Sequence, residues 1–138
     1  MKRAFYDEMP STLEAVGNGS YLYRWDIQEE EKTVTEHSTS DGETVTAQES
    51  SKQYSCFEVT IWSPVSSNKI LEAVIAAMWP NNREQKLIND YNAATLGCFG
   101  TKSGEKAQSA INAYKAFLTE RDAIKAQVDA DCESLNID

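Results

Sequence analysis

The longest hydrophobic pattern in the chain covers residues 105–135 and has the 3.6-residue period of an α-helix. No Gly or Pro interrupts it, and strong helix formers fill most of the polar positions. We therefore predict one amphipathic helix over about 105–133. Asp129, Asp131 and Glu133 lie where the helix dipole disfavours negative charge, so we expect the last turns to fray. The apolar stripe consists of Ala107, Ala110, Ile111, Ala113, Tyr114, Phe117, Leu118, Ile124, Val128, Cys132 and Leu135.

Two shorter stretches show the same period, over about 68–78 and 83–96. Trp79-Pro80 separates them, because proline disfavours a helical conformation in the residue before it. The expected caps are Ser66, Ser67 or Asn68 for the first helix, Asn81 or Asn82 (with Gln85 as a capping box) for the second, and Thr101 or Ser103 for the long one. Gly97 is placed to end the second helix.

In the amino-terminal half, apolar and polar residues alternate, whereas in the helical stretches apolar residues recur every three to four positions. Residues 21–28 place Tyr21, Tyr23, Trp25 and Ile27 on one side, and residues 53–62 place Phe57, Val59 and Ile61 on one side. A period of two predicts two half-buried strands. Trp62 has the opposite parity to Phe57, Val59 and Ile61, so it is the aromatic residue we expect to be exposed. Residues 1–20 show no period, apart from a possible helical turn over 5–9.

The polar tract 29–52 joins the two strands, and its Thr/Val segments have strand character on either side of Asp41-Gly42, a favoured hairpin tip. It predicts an exposed acidic β-ribbon. With that tip, the strand register would pair Trp25 with Glu58 and leave the apolar residues of the two strands on opposite faces. A register shifted by one residue pairs Trp25 with Phe57 and puts both apolar sets on the same face. We therefore predict a bulge or an irregular tip within 29–52.

Together these elements predict a single α+β domain over residues 1–138. A β part, 1–63, carries the ribbon, and a helical part, 66–138, packs its three helices on the aromatic face of an antiparallel ribbon or small sheet. The length of 138 residues is that of one ordinary domain.

Composition excludes several classes of function. The net charge is −9, and residues 24–50 alone hold eight acidic and two basic side chains, so binding to nucleic acids or anionic membranes is disfavoured. No stretch resembles a signal peptide or a membrane span. Three widely spaced cysteines predict reduced thiols, with Cys56 and Cys132 in the core and Cys98 exposed. We expect a soluble, intracellular protein.

No catalytic, cofactor-binding or metal-binding residues are predicted. The lone histidine, His37, lies in the acidic tract without companions that could complete a metal site. The glycine-rich loop 97–104 precedes a helix but lacks the spacing of a phosphate-binding loop, so it is expected to be an interhelical turn. Carboxylates are abundant, but nothing singles out a catalytic pair.

The long helix would measure about 45 Å, whereas a compact domain of this size is about 37 Å across. Part of its apolar stripe could therefore overhang and serve self-association or docking; a kink, or an end near Asp129, are the alternatives. The candidate binding residues are Trp62, Phe99, Phe117, Ile124 and Val128.

Four segments carry a resemblance to other proteins: 16–21, 23–27, 91–94, and a tail that includes 114–118 and 129–132. On these segments the chain resembles small uncharacterised proteins of gut bacteria, often encoded in prophage-like gene clusters. The resemblance implies a phage-associated accessory or assembly role, in the cytoplasm of a bacterial host or in association with a virion. It carries no functional residues to transfer.

The sequence thus predicts a non-enzymatic accessory or structural protein that acts through protein–protein contacts, with a protein partner or with itself. The alternative is a module that binds a small ligand or carbohydrate through exposed aromatic side chains. A carboxylate-based hydrolase ranks third.

Overall fold

A computed structural model describes the backbone of residues 1–40 and 43–138 and the side chains of residues 1–31 and 51–138. The chain is an α+β protein, as predicted, with an antiparallel sheet in its amino-terminal half and three helices after it. Backbone contacts divide it into two compact units, Met1–Thr60 and Ile61–Asp138. We call them the sheet unit and the helical unit. Their boundary lies close to the division between β part and helical part that the sequence indicates.

The sheet has four strands in the order β1-β4-β3-β2. The central pair is long, and each outer strand has only three residues. The strands are β1 (Ala4–Tyr6), β2 (Leu13–Ala15), β3 (Ser20–Ser40) and β4 (Glu43–Trp62). In the antiparallel register Ala4 pairs with Cys56, and Leu13 pairs with Tyr23.

Both predicted strands are confirmed, and each extends into the polar tract as the ribbon hypothesis requires. The expected tip, Asp41-Gly42, lies outside the described residues, as does the side chain of His37. The helical turn proposed for 5–9 is wrong, because Phe5 and Tyr6 belong to β1. Edge strands this short are created by pairing with a neighbour, and three residues cannot display a period.

One face of the sheet is aromatic. The ring of Trp25 lies 5.8 Å from that of Tyr23 and 5.7 Å from that of Phe57, between centroids. Tyr23 and Trp25 are buried. Trp25 and Phe57 are therefore neighbours on one face, as the register argument predicted. The packing of the helices on this face stays a prediction.

Strand β3 is continuous but has a backbone irregularity at Asp26, whose φ is +51°, and we call this irregularity the break. Asp and Asn tolerate this left-handed region better than other side chains. Arg3 holds the break in place: Nη1 donates to Oδ2 of Asp26 at 2.7 Å, and Nη2 donates to its carbonyl oxygen at 2.6 Å. The break lies three residues before the interval 29–52 in which an irregularity was expected.

The three helices are α1 (Ser67–Met78), α2 (Asn81–Thr95) and α3 (Glu105–Leu135). Ser66 caps α1 by accepting a hydrogen bond from the amide of Lys69, as expected. The N-cap positions of α2 and α3 are Pro80 and Gly104, which have no capping side chain, so the predicted cap positions are wrong. Within the first turn of α2, however, the side chain of Asn82 accepts a hydrogen bond of 2.9 Å from the amide of Arg83.

The two shorter helices lie in tandem along α3, and both pack against it. At one end, Ala94 of α2 packs with Ala107 and Ile111 of α3 in a buried cluster. At the other end, the amide of Ser67 donates to the carbonyl of Asp138 at 2.7 Å, which brings the start of α1 to the chain segment after α3. Because α1 and α2 contain 12 and 15 residues, their summed length nearly equals the 31 residues of α3.

Helix α3 extends to Leu135, so the alternative of an end near Asp129 is wrong. Asn136 adopts a left-handed conformation, and the amide of Ile137 donates to the carbonyl of Cys132. This is the Schellman arrangement, which satisfies carbonyls that a helix end would otherwise leave free. Cys132 is buried close to the end of the helix, so the overhanging stripe that the length suggested is not observed.

Acidity is distributed unequally. Residues 1–60 hold 12 acidic and five basic side chains, whereas residues 61–138 hold ten and eight.

Within the part of the chain that the structure describes, no helix is both long and apolar enough to cross a membrane.

Candidate functional site

The five candidate binding residues are found in different environments. Trp62 is exposed, and Phe99 and Ile124 are half-buried. Phe117 and Val128 are buried, so they belong to the core and offer no surface to a partner. This corrects the expectation for those two residues, which followed from the supposed overhang of α3.

Phe99 lines a groove between α2 and α3 of about 850 Å³, which is shallow and open to solvent. We call it the Phe99 groove. Its apolar lining includes Leu87 of α2 and Ala110 and Ala113 of α3. Small side chains on α3 allow another backbone to approach closely. The remaining lining residues are Lys86, Asp90, Glu105, Lys106 and Ser109.

The loop 97–104 holds Phe99 in this position. Gly97 ends α2 as predicted: its φ is +81°, and the next amide, of Cys98, donates to the carbonyl of Ala93 at 2.9 Å. Farther along, the side-chain amide of Gln108 donates to the carbonyl of Lys102 at 2.7 Å. The loop connects the ends of α2 and α3, which is the interhelical turn expected from its sequence.

The charged rim of the groove is balanced. Lys86 and Asp90, one turn apart on α2, form an ion pair of 2.5 Å. The ammonium of Lys106 lies 4.3 Å from the centre of the Phe99 ring, within range of a cation–π interaction. Because both signs are present, the rim favours neither a strongly acidic nor a strongly basic partner.

A large exposed leucine adjoins the same loop. Leu96 is 78% exposed, and it directly follows α2. Cys98, two residues farther, is the exposed cysteine, as predicted, and Cys56 and Cys132 are buried. The loop end of the helical unit therefore presents apolar surface both in the groove and beside it.

Trp62 is 61% exposed, so the prediction that it is the exposed aromatic of its strand is confirmed. It lies at the end of β4, and its carbonyl accepts a hydrogen bond of 3.4 Å from the ammonium of Lys69. The other two tryptophans, Trp25 and Trp79, are buried. A ligand that reaches a tryptophan from solvent would therefore meet Trp62.

The structure also reveals a polar cluster that the sequence reasoning missed. Arg24 of β3 is only 2% exposed, and its guanidinium lies 2.7 Å from Glu14 of β2 and 3.2 Å from Glu58 of β4. Its Nη2 donates to the hydroxyl of Tyr6 of β1 at 3.2 Å. These four residues, which we call the Arg24 cluster, join all four strands. The available signal was the charged side chain within a strand dominated by aromatic residues.

The electrostatics of the cluster follow from burial and pairing. Burial alone would lower the pKa of the Arg24 guanidinium, but hydrogen bonds to Glu14, Tyr6 and Glu58 outweigh it, and the net pKa is raised. The hydrogen bond to Glu58 raises the pKa of Tyr6. Burial, with a contribution from Glu58, raises the pKa of the nearby Cys56 thiol. The guanidinium therefore stays charged, and the phenol and the thiol are held in their neutral forms.

Metal-ligating side chains do not gather in groups of three or more within residues 1–31 and 51–138. No protein-family model, curated protein or solved structure matches the chain.

Proposed function

We propose that this chain is a non-enzymatic accessory or structural protein that acts through protein–protein contacts, and that the Phe99 groove is its contact surface. The observation that supports the proposal is the open apolar lining between two antiparallel helices. Such a groove suits a third helix, because small residues on α3 let a helix backbone come close while Leu87 and Phe99 contact its apolar face. A phage-associated role for the assembly is part of the proposal and rests on the sequence resemblance alone.

A photo-crosslinking amino acid at Ala113 tests this proposal in the cells from which the protein comes. Ala113 is exposed and lines the groove, whereas Ala123 is exposed on the same helix and does not line it. The two positions therefore form a matched pair. We expect one discrete adduct from position 113 and none from position 123.

A second variant connects the adduct to the groove. Leu87→Glu places a charge in the lining, so it should abolish the adduct while the helical circular dichroism is retained. Equal crosslinking at both positions, or an adduct that survives Leu87→Glu in a folded protein, would contradict the proposal. Mass spectrometry of the adduct tells a second copy of the chain from a different protein.

The exposure of Trp62 favours a second candidate function, the binding of a carbohydrate or another flat small ligand by stacking. Trp25 and Trp79 are buried, so a change in tryptophan fluorescence on titration with glycans reports mainly on Trp62. We expect saturable quenching that disappears in Trp62→Ala. Fluorescence that does not change across a glycan panel counts against this candidate and leaves the groove proposal unaffected.

A further inference from the structure

Helix α3 carries opposite charges at equal distances from a small residue. Lys106 and Glu120 lie seven residues before and after Ala113. Seven residues make nearly two full turns, so the three side chains share one face of the helix. Lys106 and Ala113 line the Phe99 groove, and Glu120 is exposed on the continuation of their face. We call these three residues the Ala113 face.

The Ala113 face is complementary to a second copy of itself when the two helices are antiparallel. A two-fold axis beside Ala113 brings Lys106 of each copy opposite Glu120 of the other, so the attractive pair occurs twice. Parallel helices in register would instead place lysine against lysine and glutamate against glutamate, which is repulsive. The order of charges along α3 therefore favours one partner and one direction.

The side chains around Ala113 are small and accessible. Ser109 and Ala116 are exposed, as is Ala113 itself, and Ala110 is half-buried. Two helix axes can approach to about 8 Å where the side chains at the contact are small. An antiparallel helix centred on Ala113 would therefore lie close to α3 and bury the apolar lining of the groove.

The distribution of charge also favours contact between two copies at the groove. Residues 1–60 hold 12 acidic and five basic side chains, so two sheet units repel each other. The groove is lined by as many lysines as carboxylates, so two grooves can meet without net repulsion. These four residues are Lys86, Lys106, Asp90 and Glu105.

We propose that the partner in the Phe99 groove is a second copy of this chain, bound as a two-fold dimer in which the two α3 helices run antiparallel and cross at Ala113. This inference rests on the proposed function, because it names the occupant of the same groove. The third helix that the groove suits is α3 of the other copy, so each chain both offers a groove and fills one.

Disulfide formation between introduced thiols tests the geometry, in a Cys98→Ser chain whose other cysteines, Cys56 and Cys132, are buried. Ala113→Cys places a thiol beside the two-fold axis, where the Cα atoms of the two copies lie within the separation of about 4.4–6.8 Å that a disulfide needs. The matched control is Ala123→Cys. In antiparallel helices that cross at residue 113, the two thiols at position 123 are about 30 Å apart along the axis.

We expect a covalent dimer from Ala113→Cys under mild oxidation and none from Ala123→Cys. Covalent dimers from both variants would indicate parallel helices, and a lack of dimer from Ala113→Cys would refute a two-fold axis at that residue. Circular dichroism verifies that both variants keep their helices.

Reversal of the two charges tests the register. Lys106→Glu and Glu120→Lys each place like charges opposite each other, whereas the double variant exchanges the signs and restores the attraction. We expect each single variant to raise the dissociation constant of the dimer at least fivefold, and the double variant to return it to within twofold of the wild type. Sedimentation equilibrium at low ionic strength, where screening is weak, measures these constants.

Two comparisons separate this pairing from a general effect of net charge. If only net charge mattered, Glu120→Lys would make an acidic chain less negative and would strengthen the association, which is opposite to our expectation. Lys115→Glu makes the same change of charge as Lys106→Glu at an exposed residue that does not line the groove, and it should leave the dissociation constant within twofold of the wild type.

Failure of the dimer is distinguishable from failure of the proposed function. A wild-type chain that sediments as a monomer up to millimolar concentration refutes the dimer, as does a double charge reversal that fails to restore it. Photo-crosslinking at position 113 decides separately whether a different protein occupies the groove. A monomeric chain without a specific adduct at position 113 refutes both proposals.

Discussion

In the sheet unit, a buried arginine connects the strands through polar contacts. In the helical unit, a row of aromatic rings connects the helices. Arg24 reaches all four strands through polar groups. In the helical unit, Tyr91 stacks on Tyr114 at 4.7 Å, Tyr114 lies 6.1 Å from Phe117, and Trp79 meets Phe117 edge-on at 5.1 Å. The polar connection depends on the charges of its members, whereas the aromatic one involves no ionisable charge. The two units should therefore respond to different perturbations.

The largest expected effect is in the helical unit. Ile111→Asp places a carboxylate in the buried cluster with Ala94 and Ala107, and we expect a loss of about 4 kcal/mol or more in the free energy of unfolding. Asn112→Asp adds the same charge one residue later at an exposed position and should change little. Urea unfolding followed by circular dichroism measures both. An Ile111→Asp protein that stays folded but changes its mass in solution would show that Ile111 lies in an interface between chains.

A smaller loss is expected in the sheet unit. Arg24→Met removes the shared partner of Glu14 and Glu58, but these side chains are 53% and 29% exposed, so water can solvate them. We expect a loss of about 1–3 kcal/mol, less than for a fully buried pair. Amide exchange should place the loss in β1–β4. Arg121→Met, an exposed arginine on α3, serves as the control, and equal losses in the two variants would contradict the role assigned to the cluster.

The carboxyl-terminal end of α3 offers a finer test. Asn136 has a φ of +55°, a conformation that alanine adopts at a cost and glycine adopts freely. Asn136→Ala should lower stability by about 1 kcal/mol, and Asn136→Gly should leave it unchanged or raise it slightly. Thermal unfolding of the pair measures the difference. Equal stability of the two variants would mean that the Schellman arrangement is absent in solution.

The smallest effect is expected at the rim of the Phe99 groove. The Lys86–Asp90 pair is exposed and screened by salt, so Lys86→Ala should cost no more than about 0.5 kcal/mol, and the cost should vanish in 1 M NaCl. A loss above about 1 kcal/mol that persists in salt would show that the aliphatic part of Lys86, and not its charge, stabilises the unit.

The sequence predicts the features that depend on local periodicity. Both long strands, all three helices, the Ser66 cap and the end of α2 at Gly97 follow from spacing within one element. The edge strands and the Arg24 cluster depend on residues far apart in the chain, such as Arg24 and Glu58, and no local pattern encodes their meeting. For the same reason, the length of α3 alone allows an overhang that the structure does not show. Its partners are two helices placed end to end, and this arrangement follows from tertiary packing.

The sequence predicts only part of the candidate site. Trp62 was correctly expected at the surface because its parity differs from that of its neighbours, and Phe99 lies in the groove. Phe117 and Val128 belong to the apolar stripe of α3 and are core residues, since such a stripe does not reveal where another helix covers it. The groove is lined by side chains of α2, of α3 and of the loop between them, so it is a property of the pair and not of either helix.

Because α1 and α2 lie end to end along α3, the helical unit has a junction between two short helices that one long helix spans. Each short helix supports its own half of α3, and the rings from Tyr91 to Trp79 span the joint between the halves. Mechanical and thermal coupling between the two halves therefore passes through the unbroken backbone of α3 and through that row of rings. Phe117→Ala would remove the ring that joins Tyr114 to Trp79 and would therefore weaken the cooperativity between the two halves.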